Sequence, residues 1–300
     1  MPRRHRRSMR RRSLVALTAL AALPSLALAS CGSNGSGGDG TPAPTSQAGE
    51  RYRDLLFDDI TTTDGTIYTT TKDDRGAAEP LALDRYAPDG DTAKDRAAII
   101  WMHGGGFSGG NRKDGDMVTL AKQFARRGYV TFSIDYRLLA GDCGAKPVVV
   151  ECLRPLGAAV HDERAALDYV RAHAPEFGID PDRIALGGES AGAIASIQTA
   201  GQPTSTPNPV AAVVSLSGGV PPSVTLKRTA APMLFQNGTD DQVVPLAWPR
   251  ANTRDLRAKG VTSRMYLQRG AAHVPRPADL TAFDRRARDF LLKTLHLGTS

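Results

Sequence analysis

From residue 51 onward the chain alternates between short apolar runs and segments whose apolar side chains recur at helical spacing. Ala97 to Met102 (AAIIWM) is apolar throughout, the pattern of a strand covered on both faces. Further strands are predicted over 81–86, 129–136, 183–186, 210–216, 233–236 and 264–268. Residues 55–71, interrupted at Asp64-Gly65, predict an opening hairpin. Helices are predicted over 117–127 (closed by Gly128), 160–173, 191–200 and 280–295. Such alternation predicts an α/β fold: a mostly parallel central sheet flanked by helices on both faces. Right-handed crossovers gather the C-terminal ends of the strands on one rim, where ligands bind in open α/β sheets. The residues directly after each strand are therefore where chemistry is expected.

Before residue 51 the pattern is different. Seven arginines between Arg3 and Arg12 precede an apolar stretch from Leu14 to Leu28, and no acid occurs before Asp39. This is the layout of an export signal over residues 1–30, too short and Pro-containing for a membrane span. The leader also explains the net charge of +7: without those seven arginines, 31 basic residues face 31 acidic ones. A neutral body lacks the basic surface that nucleic-acid binding needs, so nucleic acid is not an expected partner. Leu28-Ala29-Ser30-Cys31 resembles a bacterial lipobox. In lipoproteins with that motif the signal is cut before the cysteine, whose thiol carries a lipid. Arg11-Arg12-Ser13-Leu14-Val15 also resembles a twin-arginine export signal, with general export as the alternative. Residues 31–50, rich in Gly, Ser and Pro, read as a flexible tether, and residues 51–300 as one catalytic domain. The expected location is the cell envelope, anchored to the outer face of the membrane through Cys31. With Cys31 so assigned, Cys143 and Cys152 remain as a pair for a disulfide in an oxidising compartment. No further Cys or His lies at ligand spacing nearby, so no metal is expected.

Four rim segments carry the candidate chemistry. Gly188-Glu189-Ser190-Ala191-Gly192 lies between a predicted strand and a predicted helix, the context in which G-x-S-x-G makes a sharp turn that lifts the serine oxygen above the sheet. His103-Gly104-Gly105-Gly106-Phe107 follows AAIIWM; backbone amides free of side chains can approach an anionic intermediate closely. A phosphate loop would need Lys followed by Ser or Thr, and Lys113-Asp114 does not supply it. Asp240 and Asp241 follow the strand at 233–236, and His273 follows the strand at 264–268. A serine hydroxyl needs a base to take its proton, and the base needs a carboxylate to fix its tautomer.

Together these segments, with DYRL at 135–138 and IDPDRIALGGESAGA at 179–193, resemble the α/β-hydrolase superfamily, in particular esterases with an HGGG-type motif such as the hormone-sensitive-lipase-like and carboxylesterase-like groups. The resemblance covers roughly residues 80–295. It implies Ser190 as nucleophile, Asp241 as the acid, His273 as general base and acid, and the amides of Gly105, Gly106 and Ala191 as the oxyanion hole. Asp241 is favoured over Asp240 because the pattern reads G-T-x-D-x-x-V-P. Asn237 departs from the histidine frequent there, outside the triad. His103 is expected to prop the glycine loop and Glu189 to support the turn. The implied reaction is hydrolysis of a small-molecule or polysaccharide-linked carboxylic ester, without a cofactor. A small peptidase of the same fold and a catalytically silent envelope binding module remain the alternatives. No long amphipathic helix stands out between Leu216 and Pro232, so an open pocket suited to short acyl groups is expected.

Overall fold

The computed structural model describes residues 49–140, 143 and 152–297. The expected export signal, the expected lipidation site Cys31 and all but the last two residues of the expected tether lie outside the described residues. Among the described residues, eight strands form one sheet in the order β1-β2-β4-β3-β5-β6-β7-β8. They are β1 (Ile60–Lys72), β2 (Ala78–Pro88), β3 (Arg96–Met102), β4 (Val130–Ile134), β5 (Ile179–Glu189), β6 (Ala212–Leu216), β7 (Met233–Gly238) and β8 (Ser263–Gln268). β2 runs antiparallel to both β1 and β4, and every pair from β4 to β8 is parallel.

The helices are α1 (Gly115–Ala125), α2 (Leu153–Ala172), α3 (Ala174–Phe177), α4 (Ala191–Gly201), α5 (Ala247–Ala258) and α6 (Pro277–Thr294). β3 shows why the sheet needs helices on both sides. Ala98, Ile100 and Met102 join one core with Leu156 of α2, Ile194 of α4 and Leu256 of α5. Ala97, Ile99 and Trp101 join a second core with Phe124 of α1 and Phe283 of α6. The two-residue repeat of the strand thus feeds two apolar layers.

Two expectations are corrected. Asp64-Gly65 is not a hairpin turn but a bulge within one long strand, where register shifts between Thr63 and Thr66. Gly65 takes a φ of 72°, and its amide donates to the buried carboxylate of Asp84 at 2.8 Å. The turn of the hairpin lies at 73–77, where the Asp73 carboxylate accepts from the amides of Arg75 and Ala77. α2 begins two turns earlier than predicted, because Pro155 stands third in the helix, where no intrahelical partner awaits an amide.

α2 is tied to α4 by a wholly buried carboxylate. Glu163 accepts from Ser196 Oγ at 2.5 Å and from Thr199 Oγ1 at 2.6 Å. Burial pushes its pKa up to about 7, and the two hydroxyl donors only partly oppose this. A carboxyl whose folded pKa lies above its unfolded value favours folding at low pH and loses that contribution as pH rises through the folded value. Glu163→Gln, which keeps an acceptor and a donor, should therefore raise the melting temperature relative to wild type at pH 8 and not at pH 5. Thermal melts of the two proteins at both pH values check this; an equal shift at the two values contradicts it.

Candidate active site

Ser190 sits between β5 and α4 with φ 50° and ψ −115°, a conformation that costs a residue with a side chain about 1–3 kcal/mol. The two glycines around it make the turn possible. A methyl group on Gly188 would come within 2.6 Å of the Gly192 carbonyl carbon, and one on Gly192 would collide with the Met102 carbonyl at the end of β3. The Ser190 amide donates to Leu216 O of β6 at 2.9 Å, and its carbonyl accepts from Ile194 at 2.9 Å. The hydroxyl is thereby fixed at the C-terminal rim of the sheet.

The structure brings the three predicted side chains together. Ser190 Oγ lies 2.7 Å from His273 Nε2, and His273 Nδ1 lies 2.9 Å from Asp241 Oδ2. Both bonds are satisfied when Nδ1–H donates to the carboxylate and Nε2 accepts from the serine hydroxyl. Asp241 Oδ1 also accepts from the amides of Val243 and Val244, at 2.8 and 2.9 Å. Burial alone would raise this carboxyl, but the bonds from His273 and the two amides outweigh it and hold Asp241 below the usual carboxylate range. Asp240, the alternative, is exposed, and among the described residues its carboxylate accepts only from its neighbour Thr239 Oγ1, at 2.9 Å. Ser217 was not signalled by any motif; its hydroxyl donates to the His273 carbonyl at 2.7 Å and ties the histidine loop to the end of β6.

Of the three amides expected to form an anion site, those of Gly106 and Ala191 border the same small cavity as Ser190. Ala191 opens α4, so its N–H has no partner within the helix. Gly105 does not line that cavity. It makes the turn, with φ 106° and its carbonyl accepting from Ser108 and Gly109. His103 props this loop as expected: its Nδ1 lies 2.7 Å from Gly104 O, and its ring stacks on Tyr136 at 4.3 Å. Tyr136, within the DYRL segment, adds hydroxyl bonds to the carbonyls of His103 and Gly104 at 3.1 and 3.2 Å. Burial pushes the His103 imidazole down, so it stays neutral as a prop. Glu189 is buried beside Gly104; burial, then the carboxylates of Asp116 and Asp114, push its pKa up to about 7.

The cavity itself measures about 20 Å³. Its walls include Phe107, Ile194, Val244, Trp248 and Cys143, the last bonded to Cys152 as expected. Cys143 and Trp248 both line this side of the site. Among the described residues, no three acidic, His or Cys side chains gather as metal ligands, and no helix is long and apolar enough to cross a membrane.

With this geometry in place, comparison with known proteins is informative. A family model described as BD-FAE matches residues 83–206, and one described as Phospholipase/Carboxylesterase matches residues 164–280. Esterase 2 of Thermogutta terrifontis, phosphorylated by paraoxon, superposes with a TM-score of 0.61 at 23% identity over 78% of this chain and 94% of that one. Its butyrate-bound form gives 0.57 at 25% identity over 76% and 93%. The chain has the α/β-hydrolase fold. Among curated proteins, this chain is 36% identical to Carboxylesterase NlhH of Mycobacterium tuberculosis over 94 residues, 31% of this chain and 25% of that protein. It is 32% identical to Fumonisin B1 esterase of Sphingopyxis macrogoltabida over 189 residues, 60% and 32%. It is 35% identical to Acetylcholinesterase of Gallus gallus over 117 residues, 38% and 14%. The chain spans less than a third of the length of each of these curated relatives.

The glycine after Ser190 gives a direct test of the turn. Gly192→Ala should destabilise the protein by about 2–4 kcal/mol, since the added methyl must displace the backbone of β3. Chemical denaturation of the two proteins measures the difference; an unchanged midpoint would mean that this close approach is not real.

Proposed function

We propose that the chain is an exported serine hydrolase that cleaves carboxylic esters, with Ser190, His273 and Asp241 as its catalytic residues. The observation that carries this reading is the unbroken chain of hydrogen bonds from Ser190 Oγ through the imidazole to Asp241, at 2.7 and 2.9 Å. Matches to carboxylesterase and lipase relatives support the same reaction class.

In the first half-reaction Ser190 Oγ bonds to the ester carbonyl carbon while His273 Nε2 takes the hydroxyl proton. The carbonyl oxygen becomes an anion, and the amides of Gly106 and Ala191 stabilise it; one such donor is worth roughly 3 kcal/mol. Asp241 stabilises the imidazolium and keeps its orientation. When the tetrahedral adduct collapses, the bond to the alcohol oxygen breaks, and His273 gives that oxygen its proton. Water then adds to the acyl-serine with His273 again as base, and the acid leaves as Ser190 recovers its proton. The first proton moves between Ser190 and His273, already 2.7 Å apart.

For the flanking segment, the lipobox-like sequence ending at Cys31 supports anchoring of the exported protein to the outer face of the membrane. On this reading Cys31→Ala moves the protein from the membrane fraction to the soluble one, and retention in the membrane fraction contradicts the anchor.

The catalytic assignment makes sharper demands. Ser190→Ala should abolish both p-nitrophenyl acetate turnover and labelling by a fluorophosphonate probe. Asp241→Asn should lower kcat by about 10⁴, because the amide oxygen keeps the bonds from Val243 and Val244 and turns its NH2 toward Nδ1, which imposes the wrong tautomer. Steady-state kinetics and intact-mass labelling of wild type and variants check both. A wild type that takes no label supports a silent binding module instead, and one that cleaves aminopeptidase substrates but no ester supports a peptidase.

A further inference from the structure

The DYRL segment takes no part in the proton transfers, and neither does a cluster of charged side chains beside it. Both bear on the glycine loop. That loop packs on itself: a methyl group on Gly105 would collide with Gly109 O, and one on Gly110 with the His103 ring. Residues 103–110 therefore form a compact unit whose aim is set by where it is fastened. Its start is fastened by the Tyr136 hydroxyl, which reaches the carbonyls of His103 and Gly104. Its middle is fastened by the Leu139 amide, which donates to Phe107 O at 3.1 Å. Its far end is fastened through Arg112.

Arg112 is held by its backbone and its side chain alike. Its amide donates to Asp135 Oδ1 at 2.8 Å, and its carbonyl accepts from Ser133 Oγ at 2.7 Å. Its Nη1 donates to Asp135 Oδ2 at 2.5 Å, and its Nε to Asp84 Oδ1 at 2.8 Å. Asp84 is fully buried on β2, and Asp135 directly follows β4, the neighbour of β2 in the sheet. One guanidinium thus joins the end of the glycine loop to two adjacent strands. Asp84 Oδ1 also takes the Gly65 amide supplied by the β1 bulge, and Lys113 Nζ lies 3.1 Å from Oδ2. Burial works against the charge of Asp84, but the bonds from Arg112, Gly65 and Lys113 outweigh it and hold the carboxyl below its usual range. Asp84 therefore faces Arg112 as an anion.

An anion donor helps only when its N–H points at the place the charge will occupy, and one such donor is worth about 10²–10³ in kcat. Gly106 stands six residues before Arg112, inside the unit that Arg112 ends. A guanidinium suits the pin, because its planar fork spans two carboxylates in fixed geometry, whereas a lysine ammonium is a point charge on a flexible stem. We propose that Arg112, through Asp84 and Asp135, is a positioning residue for the reaction. It fixes the aim of the Gly106 amide at the carbonyl oxygen of the ester and does not itself touch the substrate. The proposal rests on the ester-hydrolase reading above and adds a residue outside the triad on which the anion site depends.

The test compares full-length wild type, Arg112→Lys, Arg112→Ala and Asp135→Asn in detergent, with p-nitrophenyl acetate as substrate, a trifluoromethyl ketone as inhibitor and a melting temperature for each protein. Ser190 Oγ adds to the ketone carbon, and the ketone oxygen becomes an anion like that of the reaction. In Arg112→Lys, kcat should fall about tenfold or more while KM stays within about twofold, and the ketone should bind more weakly by the same factor as kcat/KM. Asp135→Asn should move both quantities in the same direction. Guanidinium chloride at low concentration, against the same concentration of sodium chloride, should restore part of kcat in Arg112→Ala. A merely structural role would lower the melting temperature and leave kcat and ketone affinity unchanged in the folded enzyme. That result overturns the proposal, and so does a fall in kcat with unchanged ketone affinity. If Arg112→Ala does not fold, Arg112→Lys and Asp135→Asn decide, since each keeps one of the two carboxylate bonds. Wild type that takes a fluorophosphonate label and turns over ester, beside variants that match it, removes Arg112 from this role and leaves the triad standing. Wild type with neither label nor turnover overturns the ester-hydrolase reading and the role of Arg112 together.

Discussion

Everything at this site depends on one strained turn. Ser190 is held at a φ of 50° because α4 starts almost in contact with the end of β3, an approach that only glycine at 188 and 192 permits. The energy stored there is supplied by the surrounding packing: β5 lies in the middle of the sheet, between β3 and β6, and α4 is buried along nearly its whole length. A loop on the surface could not keep such a conformation. The same geometry that strains the backbone also presents the hydroxyl above the sheet and leaves the Ala191 amide without a helical partner, so the nucleophile and one anion donor come from a single feature.

The second layer of the site works by saturation. Asp241 receives three donors, the His273 ring and two amides of its own turn, and has little reason to look for others. His273 is restrained at its ring by Asp241 and at its backbone by Ser217. The glycine loop is braced by the stacked rings of His103 and Tyr136. Each reacting group thus has its orientation fixed by bonds made before any substrate arrives, which is how electrostatic stabilisation avoids reorganisation during reaction.

How much of this was legible in the sequence follows from the range of the interactions. The rim motifs are local: glycines, a serine, an acid and a histidine each placed just after an apolar run, so strand position alone predicted where they would meet. Elements failed where a local signal had two meanings. Asp64-Gly65 has turn chemistry, yet antiparallel pairing along 60–72 turned it into a bulge that feeds an amide to Asp84. α2 begins ahead of the apolar spacing at 160–173, since Pro155, third in the helix, stands where no intrahelical bond is due. α5 was missed because Pro249 and several charged residues mask its short apolar stripe of Pro249, Thr253 and Leu256. With α5 unseen, the meeting of Trp248 and Cys143 across one cavity had no trace in the chain, since it is a product of how two helices pack on the sheet and not of any spacing.

The cysteine bond carries a consequence of its own. Thiols pair durably only in oxidising surroundings and stay apart in a reducing cytosol. On the proposed reading of an exported protein, a copy still in the cytosol carries two separate sulfur atoms at positions 143 and 152, and the wall beside Ser190 then lacks the bond that holds Cys143 in place.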